Sequence, residues 1–245
     1  MLIAQVSDIH AGHDNGNLHR FDRVLAWLAH LNPDILVLTG DVIDERWHAG
    51  YQMIADRLSR QKYPSLLLPG NTDDRRHMCS VWGERHWAND GPGESLHFTY
   101  HAGGLRLIGL DSTLENESSG SLSGHIEWLE KQLSDTGDSP ALLFLHHHVV
   151  ESGIPTLDKI MCAGTRELAA LIQRAPGKLL AIASGHVHRP VAGVFAGIPA
   201  YICGSVCPAN PVWFGTENRP PVSDPPALMI YRYVGNVHTG HHVSV

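Results

Sequence analysis

The chain has 245 residues, 43% of them hydrophobic and 18% charged, with a formal net charge of -7 at neutral pH. That length and apolar content can bury a substantial core organised as one large domain over residues 1–245. The acidic balance, with no Lys/Arg-rich block, excludes a general nucleic-acid binder, which would show a basic stripe, and no apolar stretch reaches the roughly 20 residues that span a bilayer.

In chain order, five short apolar runs each end in a residue type that binds metals. Leu2 to Val6 leads into Ser7-Asp8-Ile9-His10, Ile35 to Leu38 into Thr39-Gly40-Asp41, and Leu66 to Leu68 into Pro69-Gly70-Asn71. Ala141 to Leu145 leads into His146, and Leu179 to Ala183 into Ser184-Gly185-His186-Val187-His188. Runs of this length bounded by Gly and Pro read as buried strands. Ligands gather beyond the carboxyl ends of strands in α/β sheets, so Asp8, His10, Asp41, Asn71, His146, His186 and His188 are expected on one rim.

Between these runs, Phe21, Val24, Leu25, Leu28 and Leu31 predict a helix stopped by Pro33. Leu122, Ile126, Leu129 and Leu133 predict a second, and Leu168, Leu171 and Ile172 a third. Leu96 to Tyr100 and Arg106 to Leu110, split by Ala102-Gly103-Gly104, predict a hairpin; Ala227 to Val234 and Val237 to Val243 predict another around Gly235-Asn236. Early β/α alternation followed by hairpins indicates a mixed α/β fold rather than an all-parallel sheet. Residues 203–226 break the pattern, with Pro208, Pro211, Pro220, Pro221, Pro225 and Pro226 around Trp213 and Phe214 and no period. Such a loop can cap the site or form a subunit contact in a homodimer or higher oligomer, or it can be a solvated connection with Trp213 tucked against the core.

The chemistry of the set is consistent. Imidazole, carboxylate and amide donors without thiolate favour Zn, Mn, Fe, Co or Ni. A carboxylate such as Asp41 can bridge two cations, and a pair about 3.5–4 Å apart clamps the attacking and leaving oxygens of an in-line displacement. Two divalent cations outweigh the charge of Asp8, Asp41 and a bridging hydroxide, leaving a positive centre for a phosphate anion.

With Asp8-Ile9-His10, Gly40-Asp41, Gly70-Asn71-Thr72-Asp73, His146 and Gly185-His186-Val187-His188 in that order, the sequence resembles the calcineurin-like metallophosphoesterase superfamily. Leu110-Asp111-Ser112, Gly120-Ser121-Leu122 and Trp128-Leu129 resemble its branch of class III cyclic nucleotide phosphodiesterases and glycerophosphodiesterases, and the likeness runs to about residue 203. The resemblance implies two facing mixed β-sheets flanked by helices, a four-layer αββα sandwich. It implies two divalent metal ions (Mn, Fe, Zn or Co), one held by Asp8, His10, Asp41 and His188 and the other by Asp41, Asn71, His146 and His186. His146 is taken from the triple His146-His147-His148 because the family's ligand comes first after the strand. Asp41, Asn71 and His146 then serve catalysis directly, the nucleophile being the hydroxide between the metals. The implied activity is hydrolysis of a small phosphodiester of cyclic nucleotide or glycerophosphodiester type. The alternatives are a phosphomonoesterase or nucleotide pyrophosphatase of the same fold, or a non-catalytic metal-binding scaffold, while a DNA exonuclease is disfavoured by the charge.

One position departs from the family, which usually carries a His where this chain has Thr72. A hydroxyl can hydrogen-bond a phosphoryl oxygen but cannot supply a proton as imidazole does near neutral pH. Among the 18 histidines, His13, His48, His77 and His147 lie near the motifs and read either as phosphate contacts and proton donors or as structural histidines. Asp73 can orient a ligand imidazole and Arg75 can pair with phosphate; the competing reading makes Asp73, Asp74 and Arg75 the cap and first turn of a helix. Asp111 can bond backbone at a strand end, and His238, His241 and His242 read as an incidental metal patch. Cys79, Cys162, Cys203 and Cys207 are too scattered for a disulfide framework; Cys203-x-x-x-Cys207 can be redox-active or bind metal, but the preferred reading is two buried thiols in a reducing compartment. No signal peptide precedes the first strand, so the expected location is cytoplasmic.

Overall fold

The computed structural model describes residues 1–44, 46–88, 90–91, 94–134 and 139–245. In chain order the strands and helices are β1 (Leu2–Val6), α1 (Asn17–Leu31), β2 (Ile35–Thr39), α2 (Ala49–Leu58), β3 (Ser65–Leu68) and α3 (Arg75–Trp82). There follow β4 (Phe98–Ala102), β5 (Leu105–Gly109), β6 (Gly120–Ser121), α4 (Ile126–Ser134), β7 (Ala141–Phe144), α5 (Pro155–Asp158) and β8 (Cys162–Ala163). The chain closes with α6 (Thr165–Arg174), β9 (Leu179–Ser184), β10 (Val191–Phe195), β11 (Ile198–Ile202), β12 (Ala227–Val234) and β13 (Val237–Ser244).

The strands form two large mixed sheets, in the orders β13-β12-β1-β2-β3 and β10-β11-β9-β7-β5-β4. Within them β1, β2 and β3 run parallel, as do β5, β7, β9 and β11, while β12 and β4 attach antiparallel. Ile3, Val37, Leu68, Leu107, Phe144, Ala183 and Tyr231 pack between the sheets. The alternate residues Ala4, Leu36, Leu38 and Leu67 face Phe21, Leu28, Ile54 and Met78 of α1 to α3, and Ile108, Leu143 and Ile182 face Leu129, Leu168 and Leu171 of α4 and α6. Both faces of the parallel strands are therefore dry, which is why the sequence shows unbroken apolar runs there rather than alternation. Two mixed sheets with helices outside each are the architecture the resemblance implied.

Local rules explain most boundaries. Helix α1 ends where Asn32 turns left-handed (φ 49°) and returns its N–H to Leu28 O, just before Pro33. Helix α4 starts later than its period predicted: Leu122 donates its N–H to Ala163 O beside the β6–β8 pair, and Gly124 is left-handed (φ 84°), so the chain cannot coil until it has passed that turn. Both predicted hairpins form, over 98–109 and 227–244, with paired positive-φ residues at Gly103-Gly104 and Gly235-Asn236. The β10–β11 hairpin went unread because its turn is Ala196-Gly197, a much weaker signal. Residues 203–226 contain no helix or strand element, in keeping with their lack of period.

Candidate metal centre

All seven donors lie in the turns directly after β1, β2, β3, β7 and β9. Those turns are sealed to one another by Asp8 N to Gly40 O (3.1 Å), His10 N to Asp41 O (2.8 Å) and Gly185 N to His146 O (2.9 Å). Five donors sit on left-handed backbone: Asp8 (φ 54°), His10 (46°), Asp41 (50°), His186 (70°) and His188 (54°). Asp and His are among the few non-glycine residues that tolerate this region, and such backbone concentrates at functional sites. The motif glycines serve close approach. A Cβ on Gly185 would lie 1.8 Å from Ser7 Oγ, and one on Gly70 2.2 Å from Asp41 Oδ1.

The side chains make two groups that share one oxygen. In the first, His10 Nε2 is 3.2 Å from Asp41 Oδ2 and 3.1 Å from His188 Nε2, which is 3.3 Å from Asp8 Oδ1. In the second, His146 Nε2 is 3.4 Å from the same Asp41 Oδ2, 3.2 Å from Asn71 Oδ1 and 3.2 Å from His186 Nδ1. A proton can bridge only one pair of heavy atoms at a time, whereas each group has three or four donors aimed at a common point. A cation satisfies such a set, so the residues fit divalent ions of the mixed nitrogen and oxygen kind.

Electrostatics agree. Burial opposes charge on Asp8 and Asp41, yet the surrounding imidazoles hold Asp8 down to about 2 and Asp41 well below the ordinary carboxylate value. Burial likewise opposes charge on His10 and His146, but the hydrogen bonds and field of Asp41 outweigh it and raise both to about 9. His188 is raised by Asp8 in the same way, whereas His186, buried beside His146, falls to about 3. Buried carboxylates held ionised by their surroundings suit a cation at this place.

The groups around the donors have partners of their own. Thr72 Oγ1 lies 2.8 Å from Ile43 O and 3.0 Å from Asp41 Oδ1, and Thr72 N donates to that same oxygen at 2.9 Å. Its single hydroxyl proton can serve only one of these acceptors at a time, and the Thr72 N–H holds Asp41 Oδ1 in either case. His147 has partners too, with Nδ1 2.9 Å from Ser112 Oγ and Nε2 3.2 Å from Ser118 O. His148 Nε2 is 3.4 Å from Asp158, leaving His146 as the member of the triple that faces Asp41 and Asn71. Asp73 orients no imidazole; it accepts from Val42 N, Ile43 N, Gly70 N and Tyr51 Oη, clamping the two loops that carry Asp41 and Asn71. Arg75 donates through Nε to Asp111 (2.7 Å) and through Nη2 to Thr113 O. Asp74 caps α3 by accepting His77 N. His13 is exposed and pairs with Asp14, and His241 and His242 are exposed on β13 with His238 half-buried against Tyr231.

Cys207 is buried, as its sequence reading preferred, and it lies against the centre. Its buried thiol sits 3.3 Å from His188 Nδ1, the nitrogen pointing away from Asp8. Its counterpart in the second group is Thr39 O, 2.7 Å from His146 Nδ1. The stretch from Cys207 to Asn210, whose side chain bonds Val187 O, places the start of the Pro-rich segment beside His188.

A family model described as calcineurin-like phosphoesterase matches residues 1–190. The chain is 31% identical over 259 residues to the glycerophosphodiester phosphodiesterase GpdQ of Enterobacter lignolyticus, covering 96% of this chain and 88% of that protein. It is 29% identical over 157 residues to the 3',5'-cyclic adenosine monophosphate phosphodiesterase CpdA of Escherichia coli, covering 64% and 54% of the two chains. Its fold is similar to that of a dimetal phosphatase from Danio rerio, with a TM-score of 0.68 at 14% identity over 100% of this chain and 98% of that one.

Proposed function

The chain belongs to the calcineurin-like phosphoesterase family, hydrolases of phosphoester bonds, and on that premise we propose that it cleaves a small phosphodiester at a pair of divalent cations. The observation that carries this is Asp41 Oδ2, a single carboxylate oxygen within 3.2 Å of His10 and 3.4 Å of His146. In this reading Asp8, His10, Asp41 and His188 hold one cation, and Asp41, Asn71, His146 and His186 hold the other. The donor set suits Mn, Fe, Zn or Co. When bound, the pair supplies Lewis acidity toward phosphoryl oxygens and a water acidic enough to attack at neutral pH.

The protein's own groups prepare that chemistry. Thr72 holds Asp41 Oδ1, so Oδ2 is the oxygen presented to both groups. Thr39 O fixes the ring of His146, and His186 N donates to both oxygens of Asp8. The neutral Asn71 amide keeps the centre's net charge positive, which favours an anionic ester. Relatives named for glycerophosphodiesters and cyclic nucleotides support a diester over a monoester. The stretch from Cys207 to Asn210 acts as a wall of the site. Four unpaired cysteines suit work in the reducing cytoplasm, and no helix among the described residues is long and apolar enough to cross a membrane.

The test is a panel of metal-loaded hydrolyses. An aryl diester should exceed its monoester in kcat/KM, and equal or faster monoester cleavage across pH rejects the diester reading. With Thr72 and His147 both hydrogen-bonded to other groups, kcat/KM should fall steeply as leaving-group pKa rises. General-acid help is worth about 10²–10⁴, so a flat dependence would reveal a proton donor among the other side chains.

A further inference from the structure

Among the described residues outside the centre, one more set of metal-binding side chains comes together: the donor atoms of His48, Asp74 and His77 lie within 4.8 Å of one another. His48 immediately precedes α2, Asp74 caps α3, and His77 stands in the first turn of α3. Asp74 Oδ2 is 3.2 Å from His77 Nδ1 and 3.8 Å from His48 Nε2. The two rings stack with centroids 3.5 Å apart and 19° between planes.

As a set of protein groups alone, this cluster is incomplete. His48 Nε2 is shielded from solvent and has no hydrogen-bond partner, since 3.8 Å to Asp74 is too long for one. Asp74 divides its work: Oδ1 accepts His77 N at 3.0 Å as the helix cap, leaving Oδ2 for the imidazoles.

We propose that His48 Nε2, His77 Nδ1 and Asp74 Oδ2 form a third divalent-cation site, suited to a borderline ion such as Zn, Co or Ni with water in its remaining positions. Both rings are partly exposed and turn about their terminal torsions until their lone pairs converge on the ion. Two helix N-termini oppose a cation here, and only one carboxylate offsets them, so this site is weaker than the shared centre. Its location gives it a consequence. Asp74 N donates to Tyr51 Oη, which donates to Asp73, so an ion at this place stiffens the loop that carries Asn71.

The experiment uses the full chain, stripped by chelator and titrated with Zn(II) or Co(II), with bound ions counted by elemental analysis and affinities read by calorimetry. The parent should take up two ions tightly and a third at least about tenfold more weakly. His48→Gln with His77→Gln should abolish the third alone. Asp74→Asn keeps a good helix cap and should weaken the third at least about tenfold through the lost charge. His241→Gln with His242→Gln should retain all three. A parent that binds only two ions overturns the proposal, as does a third ion that persists in the His48/His77 double variant.

Discussion

The two halves of the centre are built on opposite principles. The half around Asp8, His10 and His188 is rich in charge but its imidazoles are loosely braced: His188 leans on the Cys207 thiol at 3.3 Å, and His10 Nδ1 is 3.8 Å from Asp44, beyond a hydrogen bond. The half around Asn71, His146 and His186 has no carboxylate beyond the shared Asp41, yet His146 is wholly buried and braced at 2.7 Å by Thr39 O. Magnitudes decide which property matters more. A unit charge about 4 Å from a cation is worth roughly 4 kcal/mol at an effective dielectric near 20. An outer hydrogen bond to a ligand changes affinity by about 10–100-fold, or roughly 1.4–2.7 kcal/mol. Charge wins, so the Asp8 half should hold its ion more tightly despite its softer supports.

The largest effect should come from removing what the halves share. Asp41→Ala deprives both groups of their common oxygen, so elemental analysis should find both ions lost and hydrolysis should drop to background. Two tightly held ions and normal turnover in that variant would end the assignment of Asp41 as the bridge.

Next comes the comparison itself. Asp8→Asn should weaken the first half by about 10²–10³, and Asn71→Asp should tighten the second by a similar factor, as read by competition with a metallochromic chelator. If neither swap changes the order of filling, bracing rather than charge controls the centre.

A smaller effect tests the softer brace. Cys207→Ala leaves the Nδ1–H of His188 without a partner and should weaken the first half by about tenfold, while Cys207→Ser keeps an acceptor and should recover much of that. Equal affinities in parent and Cys207→Ala would reduce Cys207 to a packing residue.

The finest discrimination is in pH. His10 (about 9) and His188 (raised) take protons in the first half, whereas His146 (about 9) does so in the second, with His186 held down near 3. Cations must displace those protons, so affinity falls as pH falls through 9, and the first half should lose it roughly twice as steeply. The chelated protein obeys the matching sign rule. Rings raised from 6.5 to about 9 contribute stability that is complete below pH 6.5 and lost as pH climbs through 9. Burial pushes His97 down to about 4, despite the opposing field of Asp111, so that ring must stay neutral and its contribution fades as pH drops from 6.5 toward 4. Cation-free protein should therefore unfold most reluctantly near pH 6.5, and metal should remove the alkaline decline; melting curves across pH check both.

How much of this could be read beforehand follows from distance along the chain. That the seven candidate donors would come together was legible because each is announced by its own strand, within a few residues. The commitments of Thr72 and Cys207 were not, because their partners lie 31 and 19 residues away and depend on how separate loops meet. Asp73 was misread for the same reason, since its acceptor role spans Val42 to Tyr51. Helix α2 was within reach: Tyr51, Ile54 and Leu58 repeat at helical spacing, and all are buried. Cys203 and Cys207 look alike in sequence, yet Cys203 packs between the sheets beneath Gln5 O while Cys207 reaches a ligand ring.

The left-handed donors carry a further implication for how this protein can change. Each such position strains the backbone by about 1–3 kcal/mol for an ordinary residue, and glycine would relieve it while deleting the donor. At Asp8 and Asp41 that relief is cancelled, because glycine would strand the buried N–H of His186 and the half-buried N–H of Thr72; at His10 and His188 no such donor is stranded. Screens for thermal tolerance alone should therefore erode those two histidines before the carboxylates, and only a selection that also demands turnover would keep all four.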